Sequence, residues 1–245
     1  MQASSPTSTA RQTFTIRPTD LVFAWSECRR CFWFRQHGEP ELKAPFPKVF
    51  AKIDAAMKRR LVNSDTSELI PLEGKFLAGE RLRSAAISMR ESPVELVLQG
   101  QSDFGIATSD QRFGVVDAKT VHSFNYEAER YWSQLESYAY CFEHPARGEP
   151  RAVDFIGLLC WHPQSFALSF PLPETEPTGD QRTHGELLGA LRWIPVERNR
   201  DRFLELLEAV ASILVEPSPP PPGEDCSRCQ LRDYWSRQRL PAEAG

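Results

Sequence analysis

Asp103, Asp117 and Lys119 lie in the stretch "LQGQSDFGIATSDQRFGVVDAKT", residues 98–120, which reads as two strands joined by a turn at "SDQ". Side chains alternate faces along a strand, so Asp117 and Lys119 share a face while Val116 and Ala118 take the other. The turn folds the first strand back along the second and can bring Asp103 to the same end. Two readings follow. In one, Asp and Lys form the solvent side of an ordinary strand. In the other, the apolar neighbours in "FGVVDAKT" bury the charges, which is costly without compensation. A hard divalent cation, Mg2+ or Mn2+, supplies that compensation by binding carboxylate oxygens while keeping waters in its remaining positions. It would polarise a phosphate and lower the pKa of a bound water. The lysine would orient that water or offset charge on the phosphate oxygens. The set suits phosphodiester hydrolysis.

Cys28 and Cys31, near the start, and Cys226 and Cys229, near the end, each form a C-x-x-C pair. In a chain read as cytosolic, thiols are more often ligands or buried groups than disulfides. Four thiolates satisfy a tetrahedral zinc ion or an iron–sulfur cluster. A shared site would clamp the two ends of the chain together. Arg29, Arg30, Phe32, Trp33 and Arg35, with Arg228, Arg232, Tyr234 and Trp235, combine cations and rings as single-strand grooves do; packing around the metal is the alternative. Cys141 and Cys160 fall in apolar patterns and read as core.

Several elements must position these residues. Residues 1–13, rich in Ser, Thr and Gln, are expected to be disordered. A helix capped at Thr19 or Asp20 carries the first cysteine pair through "CRRCFWF". Phe46, Val49, Phe50, Ile53, Met57 and Leu61 recur at helical spacing and predict a second helix. "ESPVELVLQGQSDFGIAT" and "RFGVVDAKT" predict strands, and "NYEAERYWSQLESYAYCFE" a helix. "AVDFIGLLCWHP", "SFALSFPL" and "ALRWIPV" read as further strands, and "DRFLELLEAVASILV" as an amphipathic helix with Phe203, Leu207, Val210 and Leu214 on one stripe. Residues 216–225 form a stiff Pro-rich connector to the last cysteine pair, and residues 236–245 a disordered tail. The expected organisation is one α/β domain over residues 14–235.

At 245 residues the chain can bury one sizeable core. A net charge of −4 argues against a polyanion binder working by bulk charge, yet permits a local basic groove, for which "CRRCFWFRQ" and "MKRRL" are candidates. No apolar run approaches the roughly 20 residues that span a bilayer, and the N-terminus lacks a signal peptide's apolar core. The expectation is a cytoplasmic protein with no membrane partner.

The order "GQSDFGI", "GVVDAKT", "YWSQLESYAY" resembles the PD-(D/E)XK nucleases of the RecB type, including the CRISPR-associated adaptation nucleases. Their signature is an Asp ending one strand, an (Asp/Glu)-x-Lys on the next, and a Gln-x-x-x-Tyr on the following helix. The match falls on Asp103, Asp117, Lys119, Gln134 and Tyr138. The resemblance implies a restriction-endonuclease-like core, a central mixed β-sheet flanked by helices. It implies that the aspartates hold the metal, that Lys119 serves the attacking water, and that Gln134 and Tyr138 shape the site and contact nucleic acid. The family's additional early-helix ligand is expected at Asp54, with Glu73 a rival, although an Asp departs from the usual residue.

Relatives carrying an iron–sulfur cluster also draw ligands from both chain ends, usually one early cysteine and three late. Two and two is a departure, but the context "CFWFRQHG" favours the cluster over zinc. The implied function is a metal-dependent DNA nuclease, an exonuclease on single-stranded ends in repair, recombination or CRISPR-type defence. Implied partners are DNA and a helicase or a CRISPR or repair protein. The alternative is a non-catalytic DNA-binding subunit that keeps the fold.

Overall fold

The computed structural model describes residues 11–39, 48–90, 92–125, 127–169 and 184–238. Strand β7 (Phe113–Thr120), where charge and apolar residues alternate, lies at the centre of a five-stranded sheet. The order is β2 (Gly74–Ala78), β6 (Phe104–Thr108), β7, β8 (Phe155–Ser169) and β9 (His184–Val196). β6 runs antiparallel to β7, and β8 runs parallel to it. A parallel neighbour requires a crossover, which helix α4 (Glu127–Glu143) provides.

Both faces of the sheet are covered. Val116 and Ala118 join Phe76, Phe104, Ile106 and Leu159 in one core, closed by Leu61 of helix α3 (Lys48–Leu61). Val115, Ile156 and Leu158 face the larger core, with Leu135 of α4 and with Phe203, Leu207, Val210 and Leu214 of helix α5 (Arg200–Leu214). The stripe expected on α5 is buried throughout, and Asn199 caps the helix by accepting from Arg202 N at 3.0 Å. A smaller sheet completes this core. In it β5 (Val94–Gln101) pairs in parallel with β1 (Gln12–Ile16) and antiparallel with β3 (Arg81–Arg83) and β4 (Ile87–Ser88). Two mixed sheets flanked by helices are the observed architecture.

The structure departs from the sequence expectations in several places. The strand expected over residues 91–108 is broken at Ser102 and Asp103, where the chain passes from the smaller sheet to the larger. Gly79 packs against this corner, and a Cβ there would lie 1.8 Å from Ser102 O. The first helix is broken into α1 (Pro18–Asp20), a π-helical turn at Leu21–Trp25, and α2 (Arg29–Gln36), with Cys28 extended between them (φ −162°, ψ 113°). The two strands expected over 152–163 and 165–172 are one strand, β8, with a bulge between Pro163 and Ser165. Proline donates nothing to a ladder, which suits a bulge.

Disorder was expected through residue 13, yet Gln12 and Thr13 pair with Val94 and Glu95. The tail was expected from 236, yet helix α6 (Ser227–Gln238) runs past it. The helix expected from the spacing of Val49, Phe50, Ile53, Met57 and Leu61 is α3, on which Val49 and Phe50 are exposed. Residues 1–10, Phe46, residues 170–172 and residues 239–245 lie outside the described residues. Among those described, no helix is long and apolar enough to cross a membrane.

Candidate active site and thiolate cluster

The β6–β7 register sets Phe104 opposite Val116, so one further step places Asp103 opposite Asp117. Asp103 Oδ2 accepts a hydrogen bond from Ala118 N at 2.9 Å, which fastens the sheet-switching corner to β7. Asp117 is 2% exposed. Its Oδ2 touches the Lys119 ammonium, but no donor meets that oxygen at a hydrogen-bonding angle. Burial pushes the Asp117 carboxyl up to about 7; Lys119 opposes this and Asp103 adds to it. Burial alone would lower Lys119, but Asp117 and Asp103 together outweigh it and hold the ammonium above its ordinary value. Lys119 is therefore charged at neutral pH.

Helix α4 closes the site. Gln134 Nε2 donates to Tyr138 Oη at 2.9 Å and, more weakly, to Asp117 Oδ1 at 3.4 Å. Tyr131, one turn earlier on this face, lies under Lys119, whose Nζ is 4.6 Å from the ring centroid. Gln134 Oε1 is buried without a partner. The back of α4 is fixed by Glu136 and Glu143. Both pair with Arg198, and Glu136 also accepts from Asn199 N at 2.6 Å, ahead of α5.

The structure thus brings Asp103, Asp117, Lys119, Gln134 and Tyr138 together. Asp54, on α3, lies at one side, and its carboxylate is 2.8 Å from Lys58 Nζ. The same ammonium is 2.5 Å from Asp103 Oδ1, so Lys58 bridges the two acids. Glu73 precedes Gly74, which pairs with Thr108, whereas Asp103 adjoins the opposite end of β6, so Glu73 is not at the site. Sequence reasoning missed Lys58, which read only as part of "MKRRL"; its spacing four residues from Asp54 was the available signal. It also missed Glu127, which starts α4 with Oε2 buried and unpartnered, on the face shared by Tyr131, Gln134 and Tyr138. Burial raises its carboxyl, against the pull of Arg130, His122 and Lys119.

A divalent cation fits this donor set. Asp103 and Asp117 are adjacent hard oxygen donors, and the buried Gln134 Oε1, which has no partner, costs about 1–3 kcal/mol unless a cation, donor or water meets it.

At the chain ends, Sγ of Cys28 lies 3.6 Å from that of Cys229, and Cys31 lies 3.6 Å from both Cys226 and Cys229. All four thiols fall within 4.8 Å of one another, close enough to share a metal. Arg30 forms a two-pronged pair with Asp233 (3.2 and 3.1 Å), and Arg228 meets Glu27 at 2.5 Å, tying α2 to α6. Of the two readings of the surrounding cations and rings, packing holds for several members, while Tyr234 and Trp235 are exposed. Phe32 is wholly buried, Arg35 pairs with Asp20, Arg29 stacks on Trp25, and Trp33 stacks on His37. Cys141 and Cys160 are core, as expected.

The family model of the PD-(D/E)XK nuclease superfamily matches residues 35–234, most of the chain, which takes in Asp103, Asp117, Lys119, Gln134 and Tyr138 but not Cys28 and Cys31. The chain belongs to the PD-(D/E)XK nuclease superfamily. Nucleic acid is the partner this membership implies, and divalent metal its usual cofactor. No curated protein matches the sequence. The crystal structure of SSO0001 aligns over 94% of this chain and 87% of its own, at 16% identity and a TM-score of 0.48, and adds nothing to the family assignment.

Proposed function

We propose that this PD-(D/E)XK chain is a divalent-metal-dependent deoxyribonuclease, with residues 14–235 acting as one catalytic domain. The supporting observation is the buried Asp117–Lys119 pair opposite Asp103, capped by Gln134 and Tyr138. Asp103 and Asp117 would hold Mg2+ or Mn2+, with Asp54 reaching the site once released from Lys58. When bound, the ion polarises the phosphate and lowers the pKa of a water. The chain's own contribution is electrostatic. Asp54, Asp103 and Asp117 face Lys58 and Lys119, a formal balance of −1; a divalent ion makes it +1, and one phosphodiester makes it neutral. Lys119, held as an ammonium, orients the attacking water or offsets charge on phosphate oxygens and does not accept a proton. Gln134 and Tyr138 fix Asp117 and wall the site.

For the four-cysteine site the sulfur spacing favours zinc over the iron–sulfur cluster that the RecB-type resemblance implies. Sulfurs around one ion at a Zn–S distance of about 2.3 Å form a tetrahedron with edges of about 3.8 Å. The 3.6 Å contacts support that size. A four-iron cluster takes one thiolate per iron and spreads them further.

Within this proposal the chain is a RecB-type enzyme acting exonucleolytically on single-stranded ends in repair, recombination or CRISPR-type defence. It works in the cytoplasm beside a helicase or a CRISPR or repair protein. The deciding experiment is cleavage of end-labelled single- and double-stranded DNA in Mg2+ or Mn2+ by the wild type and Lys119→Ala. Cutting by the wild type alone is expected. Equal cutting by both removes Lys119 from the chemistry, and binding without cutting by either supports the non-catalytic subunit.

A further inference from the structure

A cleft of about 540 Å³ opens beside the reacting groups, with Lys119 and Asp54 on its edge. Three rings, Phe23, Phe50 and Tyr131, each from a different element, line it together with the small side chains of Ala51, Ala118 and Thr120. We propose that this cleft is a nucleobase-binding site, taking an unpaired base of the strand whose phosphodiester lies at Asp103 and Asp117. The proposal rests on the nuclease reading for the position of that phosphodiester.

Three observations carry it. Phe23 belongs to the π-helical turn Leu21–Trp25, in which Leu21, Val22, Ala24 and Trp25 are buried and Phe23 alone is left partly open. Single π-helical turns recur at functional sites, because an extra residue re-aims its neighbours. Phe50, which also lines the cleft, is 40% exposed although it is a large apolar side chain. Cations rim the slot: the Arg130 guanidinium lies 5.6 Å from the Phe23 ring centroid and 5.5 Å from that of Tyr131, with Lys119 4.6 Å from the latter. Rings for base faces beside cations for phosphates are the chemistry of single-strand binding. A volume of this size sits within the roughly 300–1,000 Å³ of small-molecule pockets. A base in a duplex is stacked and paired and cannot enter, so the slot selects single strands or frayed ends.

The test is equilibrium binding in Ca2+ of single-stranded DNA oligonucleotides carrying 2-aminopurine at successive positions, against a blunt hairpin duplex. The proteins are the wild type, Phe23→Ala and Phe50→Ala; Phe50 is exposed, so its variant keeps the test valid if Phe23→Ala fails to fold. The expected result is quenching at one position, lost in the variants. Single-strand affinity should fall about 5- to 150-fold while duplex affinity moves less than about twofold. Binding of single strands with no quenched position, or equal loss for duplex and single strand, overturns the slot. Cleavage in Mg2+ without quenching overturns the slot and leaves the nuclease; quenching without cleavage supports the slot and overturns the hydrolysis.

Discussion

Asp117→Asn should stabilise the protein above neutral pH while abolishing its activity. The Asp117 carboxyl is moved by burial from 3.8 to about 7. Between those values the folded chain holds a proton that the unfolded chain has lost, so stability from this group falls as pH rises through the window. At 1.36 kcal/mol per pH unit, full ionisation costs the fold at most about 4 kcal/mol. Asparagine imitates the protonated acid and escapes that cost, while Lys119 keeps Asp103 as its counter-charge. The variant should gain at most about 4 kcal/mol at pH 8, less at pH 5 and almost nothing at pH 3. For a chain of this size the gain at pH 8 raises Tm on the order of 10 °C. The assay is thermal unfolding of both proteins across this range in divalent-free buffer, without chelator so that the thiolate site stays loaded. Adding Mg2+ at pH 8 should then raise the wild-type Tm and leave the variant unmoved. A pH-independent difference between the two, or a less stable asparagine variant at pH 8, would refute the claim that Asp117 is held charged against its burial.

Other perturbations test what surrounds the site. Arg198→Ala leaves the buried Glu136 uncompensated and should cost about 3–5 kcal/mol in urea unfolding, with activity falling in step as α4 loosens; a change below about 1 kcal/mol would make the network dispensable. Metal analysis should find about one zinc ion per chain and no iron chromophore. Cys226→Ser should release that metal and lower Tm, and an unchanged melt and metal content would sink the shared site. Ca2+ should support DNA binding without turnover, its looser geometry being unsuited to the chemistry, and turnover equal to that in Mg2+ would count against the proposed centre.

The sequence revealed the strands and helix of the site because their signals are local. Alternation around Asp117 and Lys119, and the four-residue step from Gln134 to Tyr138, are periodicities of single elements, and the structure keeps them. The short strand β1 was also visible in principle, since Phe14 and Ile16 are buried at a spacing of two. It was lost because its polar neighbours look like those of the segment before it. Lys58 and Phe23 were not legible in the same way. Lys58 matters because α3 packs against the sheet where β5 passes into β6, bringing Lys58 to Asp103, 45 residues further along the chain. Phe23 turns toward the cleft only because the first helix is wound as a π-helical turn there, which no hydrophobic period announces.

That break has its own cause at the other end of the chain. Cys28 must leave helical geometry to bring its thiol to Cys229, and the helix restarts at Arg29 with Cys31 in its first turn. The π-helical turn that aims Phe23 ends one element earlier, at Trp25, which packs edge-on against the wholly buried Phe32 of the restarted helix. The thiolate cluster and the aromatic cleft thus share one continuous segment, Leu21–Gln36, which gives Cys28 and Cys31 to the first and Phe23 to the second. Losing the metal should therefore disturb Phe23 before it disturbs Asp117, which is held by the central sheet. The Cys226→Ser protein, if it stays folded, should lose single-strand preference more than it loses hydrolysis of any strand it binds; equal loss of both would show that the segment and the sheet fail as one unit.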